Sequence, residues 1–205
     1  MKTTKMLPAL LLSLFAASAF AQASAPAGSA AAEVRRDVNQ QQRIQQGLQS
    51  GQLTVQEAAK LEGEQARIDK AEAKALKDGA LDEKEKAGLQ KMQDKASEHI
   101  RAQKHDAQTG DPNSVSSQRM QADVQRNINQ DKRIAAGIKE GSLTNKEVSK
   151  LEAGQAKVHR AEAKAGSDGQ VGAGEQKRVQ QRENRQSKRI RAQKHDHQNA
   201  GQTAG

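Results

Sequence analysis

The sequence predicts an all-α protein: two tandem three-helix repeats joined by a flexible linker, after a cleaved signal peptide. Three observations predict it. Residues 38–108 align without a gap onto 128–198 at a constant offset of 90, with 32 identities in 71 positions. An ungapped duplication of this length means one structural unit used twice. Within each copy the apolar residues recur at helical rather than alternating spacing. Finally, the candidate helices are preceded by start signals such as Thr54-Val-Gln-Glu57 and Thr144-Asn-Lys-Glu147, where a hydroxyl and a glutamate can cap one another's backbone N–H groups.

In chain order, residues 1–21 read as a secretory signal. Lys2 and Lys5 give the positive start, 7–20 the apolar stretch, and Ala19-Phe20-Ala21 the small-x-small cleavage site. The apolar stretch is shorter than the roughly 20 residues needed to span a bilayer. No other segment is apolar enough to cross, so the expected destination is the periplasm or the medium. Residues 22–32 form a small-residue leader expected to be disordered. Repeat 1 covers 33–106. Its first helix runs from about Glu33 to Leu48, its second starts after Thr54 and runs to about Leu76, and its third starts after Asp82 and runs to about Lys104. Leu61, Ile68 and Ala75 stand seven apart, a coiled-coil-like spacing. Gly51, Gly79, Gly141 and Gly169 precede the caps, where a positive φ is easiest for glycine. Residues 107–118 are a linker rich in turn formers, 119–196 form repeat 2, and 197–205 a tail expected to fray.

Composition limits the chemistry. The chain has no cysteine, which excludes disulfides, thiolate metal sites and cysteine nucleophiles. Both phenylalanines, Phe15 and Phe20, lie in the signal, and there is no Tyr or Trp, so the core must be built from small aliphatics. Repeat 1 has 12 Leu, Ile, Val and Met in 71 residues and repeat 2 has 10, which predicts well-formed helices with loose packing between them. The copies differ in charge. Residues 38–108 carry 12 basic and 12 acidic side chains, whereas 128–198 carry 16 basic and 9 acidic. Repeat 2 has also replaced Asp82, Glu83 and Lys84 by Gly172, Ala173 and Gly174, and Met92 and Ala96 by Arg182 and Gln186. Its third helix is therefore expected to be the least firmly packed.

Ser50-Gly-Gln-Leu53-Thr54-x-x-Glu57 matches Asp78-Gly-Ala-Leu81-Asp82-x-x-Glu85 at an offset of 28, so the chain reads as four related helix-turn-helix hairpins. Asp78 to Glu85 resembles the second half of an EF-hand loop, which would make Asp78, Asp82 and Glu85 candidate Ca²⁺ ligands. The EF-hand's first and third ligand positions are here Lys74 and Leu76, which argues for a plain turn followed by a cap. The whole pattern resembles uncharacterised secreted or periplasmic helical repeat proteins of proteobacteria, with degenerate EF-hand-like units. That resemblance covers most of the chain and implies no activity.

Two other features bear on ligands. His195-Asp196-His197 could chelate copper, zinc or nickel. A Lys-His pair in a last helical turn also complements the helix dipole, which accounts for His195 without a metal. The last helix is strongly basic, with Lys177, Arg178, Arg182, Arg185, Lys188, Arg189, Arg191 and Lys194 against a single acid, Glu183, over 176–194. Arg178, Arg182, Arg185 and Arg189 are spaced four, three and four, and so share a face. That face predicts an anionic protein or envelope surface as partner. With no aromatic ring to stack on a base, specific nucleic-acid recognition is not expected.

No catalytic constellation stands out. There is no Gly-rich phosphate loop, H-E-x-x-H motif or G-x-S-x-G elbow. Glu62, Glu64, Asp69 and Glu72 alternate with Lys60, Arg67, Lys70 and Lys74, as on a solvated helix. The expectation is a non-enzymatic secreted or periplasmic interaction or structural protein whose second repeat contacts an anionic partner. The alternatives are a metal-binding protein or an envelope-stress chaperone. No resident cofactor is expected beyond a weak divalent metal, and the sequence leaves the oligomeric state open.

Overall fold

Five of the six described helices begin where a side chain accepts an otherwise unpaired N–H. The computed structural model describes residues 29–196, which form six helices and no strand. These are α1 (Ala30–Ser50), α2 (Val55–Ala75), α3 (Glu83–Lys104), α4 (Val115–Glu140), α5 (Asn145–Ala165) and α6 (Ala173–Lys194). The expected signal peptide, with Ala19 and Ala21, and the tail with His197 lie outside the described residues.

The caps sit where the sequence placed them. Thr54, Asp82 and Thr144 each accept from the residue three ahead, and Glu57, Glu85 and Glu147 reach back to the capping backbone. Gly51, Gly79, Gly141 and Gly169 all have positive φ. Two starts are earlier than expected. Ser29 caps α1, whose Ala32 N–H donates to its hydroxyl at 3.2 Å. Ser114 caps α4, which therefore opens inside the 107–118 stretch. Gly172 has no side chain to offer α6, and only half of the capping box remains, with the Gly172 N–H donating to Glu175 Oε2 at 3.0 Å.

The two sequence copies close on each other. α2 lies against α5 and α1 against α4, while α3 rests on α1 and α2, and α6 on α4 and α5. The pairs are antiparallel. The C-terminal part of α1 (Ile44, Leu48) shares an apolar cluster with the N-terminal part of α4 (Met120, Val124, Ile128). At the other end Val34 clusters with Ile134, Leu143 and Val148. The short supply of aliphatic residues is thus concentrated into two apolar ends. The middle turns of α1, α2, α4 and α5 meet between them, and these turns carry polar side chains.

α6 corrects one expectation. Its Val179, Glu183, Gln186 and Ile190 are buried, the register equivalents of the buried Leu89, Gln93, Ala96 and Ile100 of α3. The apolar stripe is thinner, but a hydrogen bond and an ion pair take over. Gln186 Nε2 donates to the Leu151 carbonyl at 2.9 Å, and Arg126 reaches the carboxylate of Glu183 at 3.3 Å.

Candidate metal centre

Twelve Asp and Glu side chains are buried among the described residues, against one histidine and no lysine or arginine. Glu57 and Glu147 belong to caps. Seven of the others, Asp37, Glu62, Asp69, Glu72, Asp131, Glu152 and Glu162, fill the middle layer together with His159, and each of the eight is at most 2% exposed. A buried unpaired carboxylate is expensive, so such a layer needs protons, hydrogen bonds or cations.

The side chains converge because of helical spacing. Glu62, Gln65, Asp69 and Glu72 step by three, four and three along α2 and so share one face. Glu152, Gln155, His159 and Glu162 repeat the step on α5. Lys60, Arg67, Lys70 and Lys74 fall on the other side of α2, exposed. The reading of Glu62, Asp69 and Glu72 as a solvated ion-pair ladder is therefore wrong: Glu64 is only part-buried, but the other three point inward.

Two groups have ligand atoms close enough to hold a cation. Glu62, His159 and Glu162 form one, and Asp37, Asp69, Glu72 and Glu152 the other. Within each, the potential ligand atoms lie within 4.8 Å of one another. Each group draws on both halves of the chain. The offset of 90 carries Glu62 onto Glu152, Asp69 onto His159 and Glu72 onto Glu162, so the two groups are equivalent positions seen from opposite sides. They touch where Asp69 meets its own counterpart, with His159 Nδ1 at 2.8 Å from Asp69 Oδ2. That bond leaves His159 Nε2 unpartnered and 3.8 Å from Glu62 Oε2.

Amide side chains surround the carboxylates. Gln41 donates to Glu62 at 3.0 Å, Asn127 to both oxygens of Glu162 at 3.0 and 2.8 Å, and Gln93 to Asp37 at 2.7 Å and Glu72 at 3.0 Å. Gln155 donates to Asp131 at 2.6 Å. Even so, Glu62 Oε1, Glu152 Oε1, Asp37 Oδ2 and Glu72 Oε2 have no hydrogen-bond partner. Unpaired buried acceptors also occur elsewhere, at Gln45, Glu57 and Glu147 among others, but these four belong to the two ligand groups.

Burial pushes the carboxyls up. Asp37, Glu72, Glu152 and Glu162 stand well above the usual carboxylate range, first through desolvation and then through mutual repulsion. Asp131 is raised to about 7 by burial, against the pull of His159. At His159 burial alone favours the neutral ring, but Asp69, Glu62 and Glu162 together outweigh it and hold the imidazole well above its ordinary value.

The residues singled out from sequence lie elsewhere. Asp78 accepts from the Ala80 N–H at 3.1 Å within its turn, and Asp82 and Glu85 form the α3 capping box. His195 caps the end of α6, and Asp196 follows it, accepting from Gln193 at 3.1 Å. Neither set falls within a cluster of three or more potential ligands among the described residues. The basic side chains of α6 divide between two grooves. Arg178 and Arg182 face α5 beside Lys157, Arg160 and Lys164. Lys188, Arg191 and Lys194 face α4 beside Arg133, and Lys194 pairs with Glu140 at 3.1 Å. Lys177, Arg185 and Arg189 are exposed. Comparison with protein-family models, curated proteins and solved structures finds no match.

Proposed function

We propose that this protein is a secreted or periplasmic, non-enzymatic metal-binding protein, built from a duplicated three-helix unit whose halves close around two buried cation sites. The observation that carries this is the middle layer: seven buried carboxylates and one imidazole, with no buried lysine or arginine beside them. Facing helices of a bundle are a recurrent way to converge carboxylate and imidazole ligands. Carboxylate oxygens and imidazole nitrogen suit divalent metals, and the orphaned oxygens and the free His159 Nε2 are the atoms such ions would engage. The Nδ1 bond to Asp69 fixes the ring so that Nε2 faces Glu62, the outer-shell arrangement that metal-bound histidines commonly use. Ligands this deeply closed favour holding an ion over turning substrate over at it, because a catalytic metal keeps an open position.

The test is refolding from urea with Zn²⁺, Mn²⁺ or Ca²⁺, followed by desalting, elemental analysis and thermal melting by circular dichroism. At least one ion retained per chain, and a melting temperature that EDTA lowers, are the expected results. A protein that retains no ion and melts identically with EDTA would refute the reading.

A second reading rests on the α5–α6 groove. Five cations line it, against Glu175 alone. The equivalents of Arg178 and Arg182 in the first half are Gly88 and Met92, so these arginines belong to the second half's groove alone. It favours the anionic protein or envelope surface expected from sequence. Salt-sensitive binding to anionic vesicles, reduced in the R178G/R182M variant, is the expected result. Equal binding by the variant would remove the groove from the account.

A further inference from the structure

Resting on the reading of the middle layer as a metal centre, we infer that its two sites select different cations. The site of Glu62, His159 and Glu162 takes a borderline transition-metal dication. The site of Asp37, Asp69, Glu72 and Glu152 takes a hard, oxygen-seeking cation of higher charge.

Glu62 and Glu152 occupy the same position in the two copies, as do Glu72 and Glu162. Two sites built from equivalent positions would bind the same ion if every position matched. Two do not. Asp69 in the first copy stands where His159 stands in the second, and Asp37 stands where Asn127 stands. Both differences act in the same direction. His159 brings a neutral nitrogen donor to one site, whereas Asp69 brings a carboxylate to the other. Asn127 serves its site as an amide donor to both Glu162 oxygens, at 3.0 and 2.8 Å. Asp37 instead stands among the ligands of its own site, with Oδ2 unpartnered.

The result is two ligand fields. One offers two carboxylates and a nitrogen, a formal charge that a single dication neutralises. Imidazole with carboxylates suits zinc, manganese, iron or cobalt. The other offers four carboxylates and no nitrogen. A dication leaves it two charges in excess in a buried layer, and a trication leaves one. Four carboxylates binding through one or both oxygens also supply the high oxygen count that large hard cations require. The Asp69–His159 hydrogen bond joins the two sites, so each ion is held beside a ligand of the other.

The experiment refolds the full chain from urea with Zn²⁺ alone, with La³⁺ alone, and with both, then counts bound ions by elemental analysis. With both present, one zinc and one lanthanum per chain are expected. Co²⁺ in place of Zn²⁺ reports the nitrogen ligand through its visible absorption. His159→Asp makes both sites all-oxygen. It should lose the cobalt band, weaken zinc at least 30-fold, and raise bound lanthanum from one to two. Glu152→Gln should weaken lanthanum and leave zinc unchanged. Zinc and lanthanum competing for both sites of the unaltered protein without preference would overturn the inference, with or without a folded variant. Retention of neither ion would instead overturn the metal-centre reading beneath it.

Discussion

His159 is the only buried base among the described residues, and Asp69 is its closest partner. Removing one member of a buried ionic pair leaves the other uncompensated, typically at about 3–5 kcal/mol. His159→Ala in metal-free protein at pH 6 should therefore cost roughly that much. The measurement is urea unfolding followed by circular dichroism, since the described residues contain no aromatic side chain to report by fluorescence. Asp69→Ala combined with His159→Ala should cost less than the two single losses added together, as expected of groups in direct contact. In the sequence His159 is one of five histidines, with nothing local to mark its role. Sequence spacing puts Glu62, Asp69 and Glu72 on one face of α2, yet their alternation with Lys60, Arg67, Lys70 and Lys74 mimics a solvated ladder. Glu62, Gln65 and Glu72 are unchanged in the second copy, but so are Lys60 and Lys74, so comparing the copies does not mark the inward face. Burial on that face depends on α5 packing against it, a long-range contact that local pattern does not encode.

Among the elements, the helix ends were the most legible feature, because capping is local chemistry. Thr54, Asp82 and Thr144 act where their sequence motifs place them. Gly51 and Gly141 are equivalent turn residues with φ of 72° and 71°, so backbone strain from a side chain should be alike in both, about 1–2 kcal/mol. Their surroundings differ. A Cβ on Gly51 would meet the Gly110 carbonyl oxygen at 2.8 Å, whereas one on Gly141 meets nothing within 4 Å. Gly110 also donates its N–H to the Gly51 carbonyl at 2.8 Å, tying the α3–α4 connection to the α1–α2 turn. Gly51→Ala should therefore destabilise clearly more than Gly141→Ala, by chemical denaturation of each variant. Equal losses would mean that the connection yields freely.

For the molecule as a whole, the buried acids set the pH response. In the unfolded chain carboxyls lose their protons near pH 4. In the fold Asp123 and Asp131 hold theirs to about 7 and Glu183 to about 8, through burial. Between these limits the folded state binds more protons than the unfolded state, so stability falls as pH rises. His159, also raised, acts in the same direction: its contribution is present below the unfolded value and lost as pH climbs through the folded one. Metal-free protein should melt at a higher temperature at pH 5 than at pH 8. Bound cations replace those protons, so the stabilisation by metal should grow with pH over the same range. Melting curves at pH 5, 6.5 and 8, with EDTA and with Zn²⁺, check both statements. The all-α class and the order of helices were readable from the chain. That its two copies would share one interior was not, because the polar residues that line it look like surface when each copy is read alone.

The contact between Asp69 and His159 joins a position to its own counterpart. In a pair of identical chains, such a self-facing position can hold only the same residue on both sides. A homodimer of the three-helix unit would set aspartate against aspartate, or histidine against histidine, and in either case like would meet like. Covalent fusion of the copies removes that restriction. It allows an acid to face a base at the symmetry axis, so this chain holds an interaction that no symmetric assembly of its half could form.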